Sequence, residues 1–138
     1  MRVTVDWDDE AHTIIRYTYA EGWTWADYEV AIKTAYKITQ AVNPPMLDVI
    51  ADFSDASLAP KNLIANFQKS LNSPYTIHFG VTILVTPNLF MTRMIEMYRK
   101  INKQGSKRIR LTKTIDEARA IIAKIRQDRQ ITSEDNTL

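Results

Sequence analysis

Val3, Val5 and Trp7 alternate with polar residues, and Ile15, Tyr17 and Tyr19 alternate again after the polar stretch Asp8–His12. A period of two marks strands with one buried face, so residues 2–19 read as an antiparallel hairpin. Gly22 breaks the pattern and the period changes. Thr24 stands as a helix cap, with Asp27 at the third helical position and Trp23 and Tyr28 spaced as a hydrophobic staple. Tyr28, Ala31, Ile32, Ala35, Ile38 and Val42 then recur at helical spacing, and Asn43-Pro44-Pro45 ends the run.

From there strands and helices alternate. Leu47–Phe53 is mostly apolar, as a strand covered on both faces must be. Pro60 suits a first helical turn, and Leu63, Ile64, Phe67 and Leu71 continue it to Asn72-Ser73-Pro74. Phe79–Val85 is a second buried strand. Thr86-Pro87 reads as a cap followed by an N1 proline. Phe90, Met94, Met97, Tyr98 and Ile101 then mark a helix that Gly105 closes. Arg108–Leu111 alternates as an edge strand with Ile109 and Leu111 inward. Thr114-Ile115-Asp116-Glu117 is a capping box, and Ile115, Ala118, Ile121, Ile122 and Ile125 line the last helix. Periodicity fades over residues 130–138, which are expected to fray.

The expected fold is therefore α/β: a single domain over residues 1–129 with a mixed, mostly parallel sheet, an N-terminal β-hairpin and the order ββαβαβαβα. Strands separated by helices pair in parallel through right-handed crossovers. A chain of 138 residues is long enough to bury a core without metal or disulfide staples. The absence of cysteine removes thiolate catalysis, disulfides and zinc–thiolate sites. The opening Met-Arg-Val-Thr-Val-Asp-Trp holds no signal-like apolar segment, and no apolar run approaches the ~20 residues of a membrane span. A soluble cytoplasmic protein is expected.

Charge is unevenly placed. Residues 1–60 carry four bases against ten acids, and residues 61–138 carry fourteen against six. The basic excess peaks in Arg93–Lys113, with eight Lys/Arg and the single acid Glu96. Such asymmetry fits an acidic partner or self-association into a homo-oligomer; the plainer reading is a solvated helix face and a basic edge strand. Tyr98 is the one aromatic in that stretch, which lacks the interleaved rings of a single-strand binder, so nucleic acid is not an expected partner.

Candidate chemistry concentrates where the apolar strand 47–53 runs into acids and hydroxyls. In open α/β sheets, ligands and partners meet the carboxyl ends of strands. Asp52 and Asp55 could serve acid–base work, but no further ligands converge on them in sequence, and caps and turns use such residues too. No metal or cofactor is expected. Gly22, Gly80 and Gly105 are the only glycines, so no phosphate-cradling loop exists. His12 falls in the hairpin turn, where solvation is expected, and His78 starts a strand. A Ser-His-Asp set with Ser54 or Ser57 lacks the nucleophile-elbow motif.

Trp7, Trp23, Trp25, Tyr17, Tyr19 and Tyr28 cluster early. Packing of the hairpin explains them, as would the floor of an apolar pocket. Met91, Met94 and Met97 fit either a core or an adaptable surface.

The element order and the segment Asp52-Phe53-Ser54-Asp55-Ala56-Ser57 resemble a STAS-type domain, the fold of bacterial anti-sigma-factor antagonists, in its divergent SpoIIAA-like branch. The likeness spans about residues 2–127. It also rests on the Thr86-Pro87 helix start and on the short strand and final helix of Arg108–Ile125. The resemblance implies a non-enzymatic regulatory or protein-binding module whose partner is anti-sigma-factor-like or kinase-like. Family members carry Asp-Ser-Ser-Gly in this loop, with a phosphorylated serine. The matching positions here read about Pro60-Lys61-Asn62-Leu63, so the phospho-switch does not carry over. Ser57 lies near a helix N-terminus, where a phosphate would be well placed. The expected partner-binding loop is Ser54, Asp55, Ser57, Lys61 and Asn62. The branch is also similar to Sec14-type lipid-exchange domains, which implies as alternative a carrier or sensor of a small apolar, lipid-like ligand held near Trp23, Trp25, Met91 and Met94.

Overall fold

The hairpin forms as its alternation requires: β1 (Val3–Trp7) pairs antiparallel with β2 (Ile14–Ala20), Val5 opposite Tyr17. The structure, a computed structural model, describes residues 2–42, 47–56, 62–71, 75, 79–101 and 108–136. Its remaining elements are α1 (Trp25–Val42), β3 (Leu47–Asp55), α2 (Leu63–Leu71), β4 (Phe79–Val85), α3 (Leu89–Ile101), β5 (Ile109–Thr112) and α4 (Ile115–Asn136). The order is the expected ββαβαβαβα. Several boundaries move, α3 opening at Leu89 and β5 running Ile109–Thr112 among them. The third strand runs on to Asp55, and the last helix continues past residue 129 to Asn136.

The five strands lie in the order β1-β2-β3-β4-β5, and every pairing after the hairpin is parallel. A sheet built in one direction by right-handed crossovers places successive crossover helices on one face. Accordingly Ala31, Ile32 and Ala35 of α1, Leu63 of α2 and Met91, Ile95 and Tyr98 of α3 share one core with Val49, Ala51 and Leu84. Among the described residues the opposite face is left to α4. Ala118 and Ile122 cover Ile14, Ile50, Val81, Ile83 and Val85 there.

Two aspartates of β3 shape the sheet. Between Leu47 and Val49 the register with β4 shifts by a residue, and the Val81 N–H donates to the Asp48 carboxylate at 2.9 Å. Between Thr18 and Ala20 the register of β2 with β3 shifts likewise. There the Ser54 N–H donates to Asp52 Oδ1 at 3.0 Å, and the Ser54 hydroxyl donates to the same atom at 2.6 Å. In each bulge a carboxylate takes a backbone donor from the strand, which satisfies the extra residue where the ladder is locally disrupted.

The charge asymmetry is answered partly inside the fold. Asp48 is fully buried between two guanidiniums of α4, with Arg126 Nε at 2.9 Å and Arg129 Nη2 at 3.0 Å. Arg126 also donates to the Thr13 hydroxyl and carbonyl, and Arg119 and Arg16 both reach Asp8. Arg119, Arg126 and Arg129 of the rear half thus neutralise Asp8 and Asp48 of the front half.

Candidate functional site

The carboxyl edge of the sheet gathers the ends of β3 and β4 and the starts of α2 and α3. Ser54 and Asp55 are exposed there, and Ala56 is tied back by its N–H to the Phe53 carbonyl at 3.0 Å. Asn62 is exposed in a left-handed conformation, φ 60°, and its carbonyl accepts the Asn66 N–H at 3.0 Å to start α2. Ser57, Pro60 and Lys61 lie outside the described residues, as does His78. Asp52 is buried and committed to Ser54, so its carboxylate shapes the bulge. The monotonic strand order also provides no reversal point between β2 and β5, the place where such sheets open a ligand crevice.

The start of α3 differs from expectation. Thr86 is buried, and its hydroxyl accepts the Asn88 N–H at 3.1 Å. The cap is Asn88, whose Oδ1 accepts the N–H groups of Phe90 at 2.9 Å and Met91 at 3.3 Å. Pro87 therefore precedes the helix rather than opening it. The signal was present: an asparagine is as good a cap as a threonine and stands nearer the apolar run.

Met91, Ile95 and Tyr98 face the sheet. Leu89 and Phe90 are each 66% exposed, Met97 62% and Ile101 80%. Of the residues whose spacing marks this helix, Phe90, Met97 and Ile101 thus lie on the outside, Tyr98 is buried, and Met94 is half-buried against the core. Arg93, Glu96 and Lys100 are exposed on the same helix.

The early aromatics form a continuous run of contacts under α1 and α2. Tyr17 lies 6.4 Å from Tyr28, Tyr28 5.6 Å from Trp25, and Trp25 4.9 Å from Trp23. Trp23 meets Tyr19 at 4.8 Å, and Tyr19 stacks on Phe53 at 4.0 Å. These six side chains, with Arg108 and Ser70, help to line a cavity of about 60 Å³. An open groove of about 380 Å³ between α1 and α2 shares Trp25, Tyr28 and Ser70 with it. The Tyr28 and Ser70 hydroxyls hydrogen-bond to each other where the two spaces adjoin.

Burial pushes the phenols of Tyr17 and Tyr19 well up, and Tyr28 is raised by the same cause. The Tyr17 hydroxyl and the Trp23 indole N–H are buried without a hydrogen-bond partner among the described residues. Trp23 and Trp25 were expected beside an apolar ligand and do line this space; Met91 is core and does not. Tyr17, Tyr28 and Arg108 belong to it as well. The Trp/Tyr clustering was the signal for the two tyrosines, whereas Arg108 arrives only through the pairing of β4 with β5.

His12 stacks on Trp7 at 4.7 Å in a left-handed turn and is half-buried, where solvation had been expected. Among the described residues, no three His, Asp or Glu side chains converge as metal ligands, and no helix is long and apolar enough to cross a membrane.

No family model, curated protein or solved structure matches the chain.

Proposed function

We propose that the chain is a non-enzymatic regulatory module that binds a protein partner along the carboxyl edge of its sheet and the outer face of α3. The observation that carries this reading is the exposed row Phe90, Met97 and Ile101, with Leu89 beside it. Large apolar side chains held in water on one helix face mark an interaction surface far more often than singly scattered ones do. Their spacing of seven and four residues, with Met94 between, is the seam of a helix that packs against another helix.

Arg93 and Lys100 accompany the row against the single acid Glu96. The complementary partner presents an amphipathic helix with acidic flanks. The resemblance to anti-sigma-factor antagonists points the same way, toward an anti-sigma-factor-like or kinase-like partner. In this reading Ser54, Asp55 and Asn62 flank the contact, and Ser57 and Lys61 are proposed as further contact residues.

Affinity capture from the native host, with the wild type beside a Phe90→Ser/Met97→Ser double variant, tests the surface. Loss of one defined partner in the variant, with an unchanged thermal melt, supports it. Equal capture by both counts against it. Sedimentation over a range of protein concentration, with the wild type beside the double variant, tells whether a second copy covers the row instead: a dimer lost in the variant shows self-association through it.

A further inference from the structure

We propose that the aromatic cavity under α1 and α2 is a binding site for a small, flat, largely apolar molecule with a hydrogen-bond-accepting oxygen at its inner end. Tyr17 and Trp23 are each 4% exposed, line the cavity and leave a hydroxyl and an indole N–H unpaired. A buried donor without an acceptor costs about 1–3 kcal/mol, so a ligand that supplies the acceptor is rewarded at that point. Indole is a donor only, so the group it meets must be an acceptor. The inference stands apart from partner docking, because none of the exposed residues of α3 contributes to the space.

The walls decide the rest. Tyr19, Trp25 and Phe53 present ring surface, which favours a flat apolar body. A volume of about 60 Å³ exceeds what one water needs, roughly 10–15 Å³, so there is room for more than a single acceptor atom. It is also far below the roughly 300 Å³ at which ordinary small-molecule pockets begin, which excludes an acyl chain inside it. The inner end of the ligand therefore occupies the cavity. For its outer end to reach the groove, whose walls include Lys33, Lys69 and Glu29, the hydrogen bond between Tyr28 and Ser70 must open.

An aromatic cage can also hold a quaternary ammonium. Three observations weigh against it here. Arg108 lines the same cavity, its Nη2 donating to the Phe79 carbonyl at 3.2 Å; Lys33 and Lys69 line the groove; and the unpaired indole presents the positive end of its N–H. All three oppose a cation.

Titration of the whole chain with p-cresol, toluene and tetramethylammonium tests the site, read by NMR of the indole N–H resonances and by calorimetry. The Trp23 indole proton, assigned with Trp23→Phe, moves downfield and saturates with p-cresol but not with toluene. Tyr17→Phe, which keeps the ring, weakens p-cresol about three- to tenfold, the loss of one hydrogen bond of ~0.6–1.4 kcal/mol, and leaves toluene unaffected. No saturable shift with p-cresol overturns the proposal. So does an equal response to toluene, p-cresol affinity unchanged in Tyr17→Phe, or a stronger saturable response to tetramethylammonium.

Discussion

Asp48 on β3 and Arg126 on α4 meet at 2.9 Å across 78 positions of sequence, and Arg129 closes on the same carboxylate. Asp48→Asn keeps the shape and removes the charge. A buried pair broken from one side costs ~3–5 kcal/mol, but these guanidiniums are about one-third exposed and can turn to water, so about 2–4 kcal/mol is expected. Urea denaturation of the two proteins at pH 7 checks the figure.

The same pair sets an acid limit. Burial works against the Asp48 carboxylate, but Arg129, the Val81 N–H and Arg126 outweigh it and hold its pKa below the usual value. A hydrogen bond from Arg119 lowers Asp8 in the same sense. A depressed folded pKa gives stability that is complete above the unfolded value, about 3.9, and lost as pH falls through the lower folded value. The melting temperature should therefore fall with pH below about 5, and less steeply in Asp48→Asn. Parallel slopes in the two proteins would remove Asp48 from the account.

Asn88→Ala should destabilise by about 1 kcal/mol, the ordinary cost of a lost helix cap, and Asn88→Gly by only a few tenths. Thermal melts of both variants distinguish a lost side-chain cap from a lost backbone conformation.

Met91 and Met97 lie on one helix with opposite fates. Met91→Ala removes a buried side chain and should cost about 2–5 kcal/mol. Met97→Ala changes an exposed one and should stay within about 0.5 kcal/mol. Chemical denaturation of both settles the orientation of α3, on which the proposed docking surface depends.

Tyr17→Phe should raise stability in the absence of ligand, by about 1 kcal/mol, because it deletes a buried hydroxyl that no described group satisfies. A drop in melting temperature would mean that the hydroxyl is already bonded in the resting protein.

Much of the fold was legible because neighbouring residues carried it. Alternation at Val3–Trp7 and Ile15–Tyr19, and the caps at Thr24 and Thr114, depend on spacings of a few residues. Thr24 and Asp27 exchange N–H bonds at 3.0 and 3.3 Å, and the Glu117 N–H donates to the Thr114 hydroxyl at 3.1 Å. What escaped was long-range or rotational. Nothing local marks Asp48 as the partner of Arg126, since an acid inside an apolar run looks like any other. The facing of α3 was ambiguous because both its faces carry large apolar side chains: Met91, Ile95 and Tyr98 on one, Phe90, Met97 and Ile101 on the other. The aromatic cluster was visible as composition, but the cavity inside it depends on how α1 and α2 settle on the sheet.

Among the described residues α4 is what covers the second face of the sheet, so that face is closed only once residues 115–125 have been made. During synthesis, Ile14, Ile50, Val81, Ile83 and Val85 remain without their cover until Ala118 and Ile122 emerge. Arg119 and Arg126 then bond to residues 111 and 113 positions earlier, at Asp8 and Thr13. An apolar face left waiting is what chaperones hold and proteases find. A stop codon just before Ile115 would therefore yield an insoluble or degraded product, though every strand of the sheet had been translated.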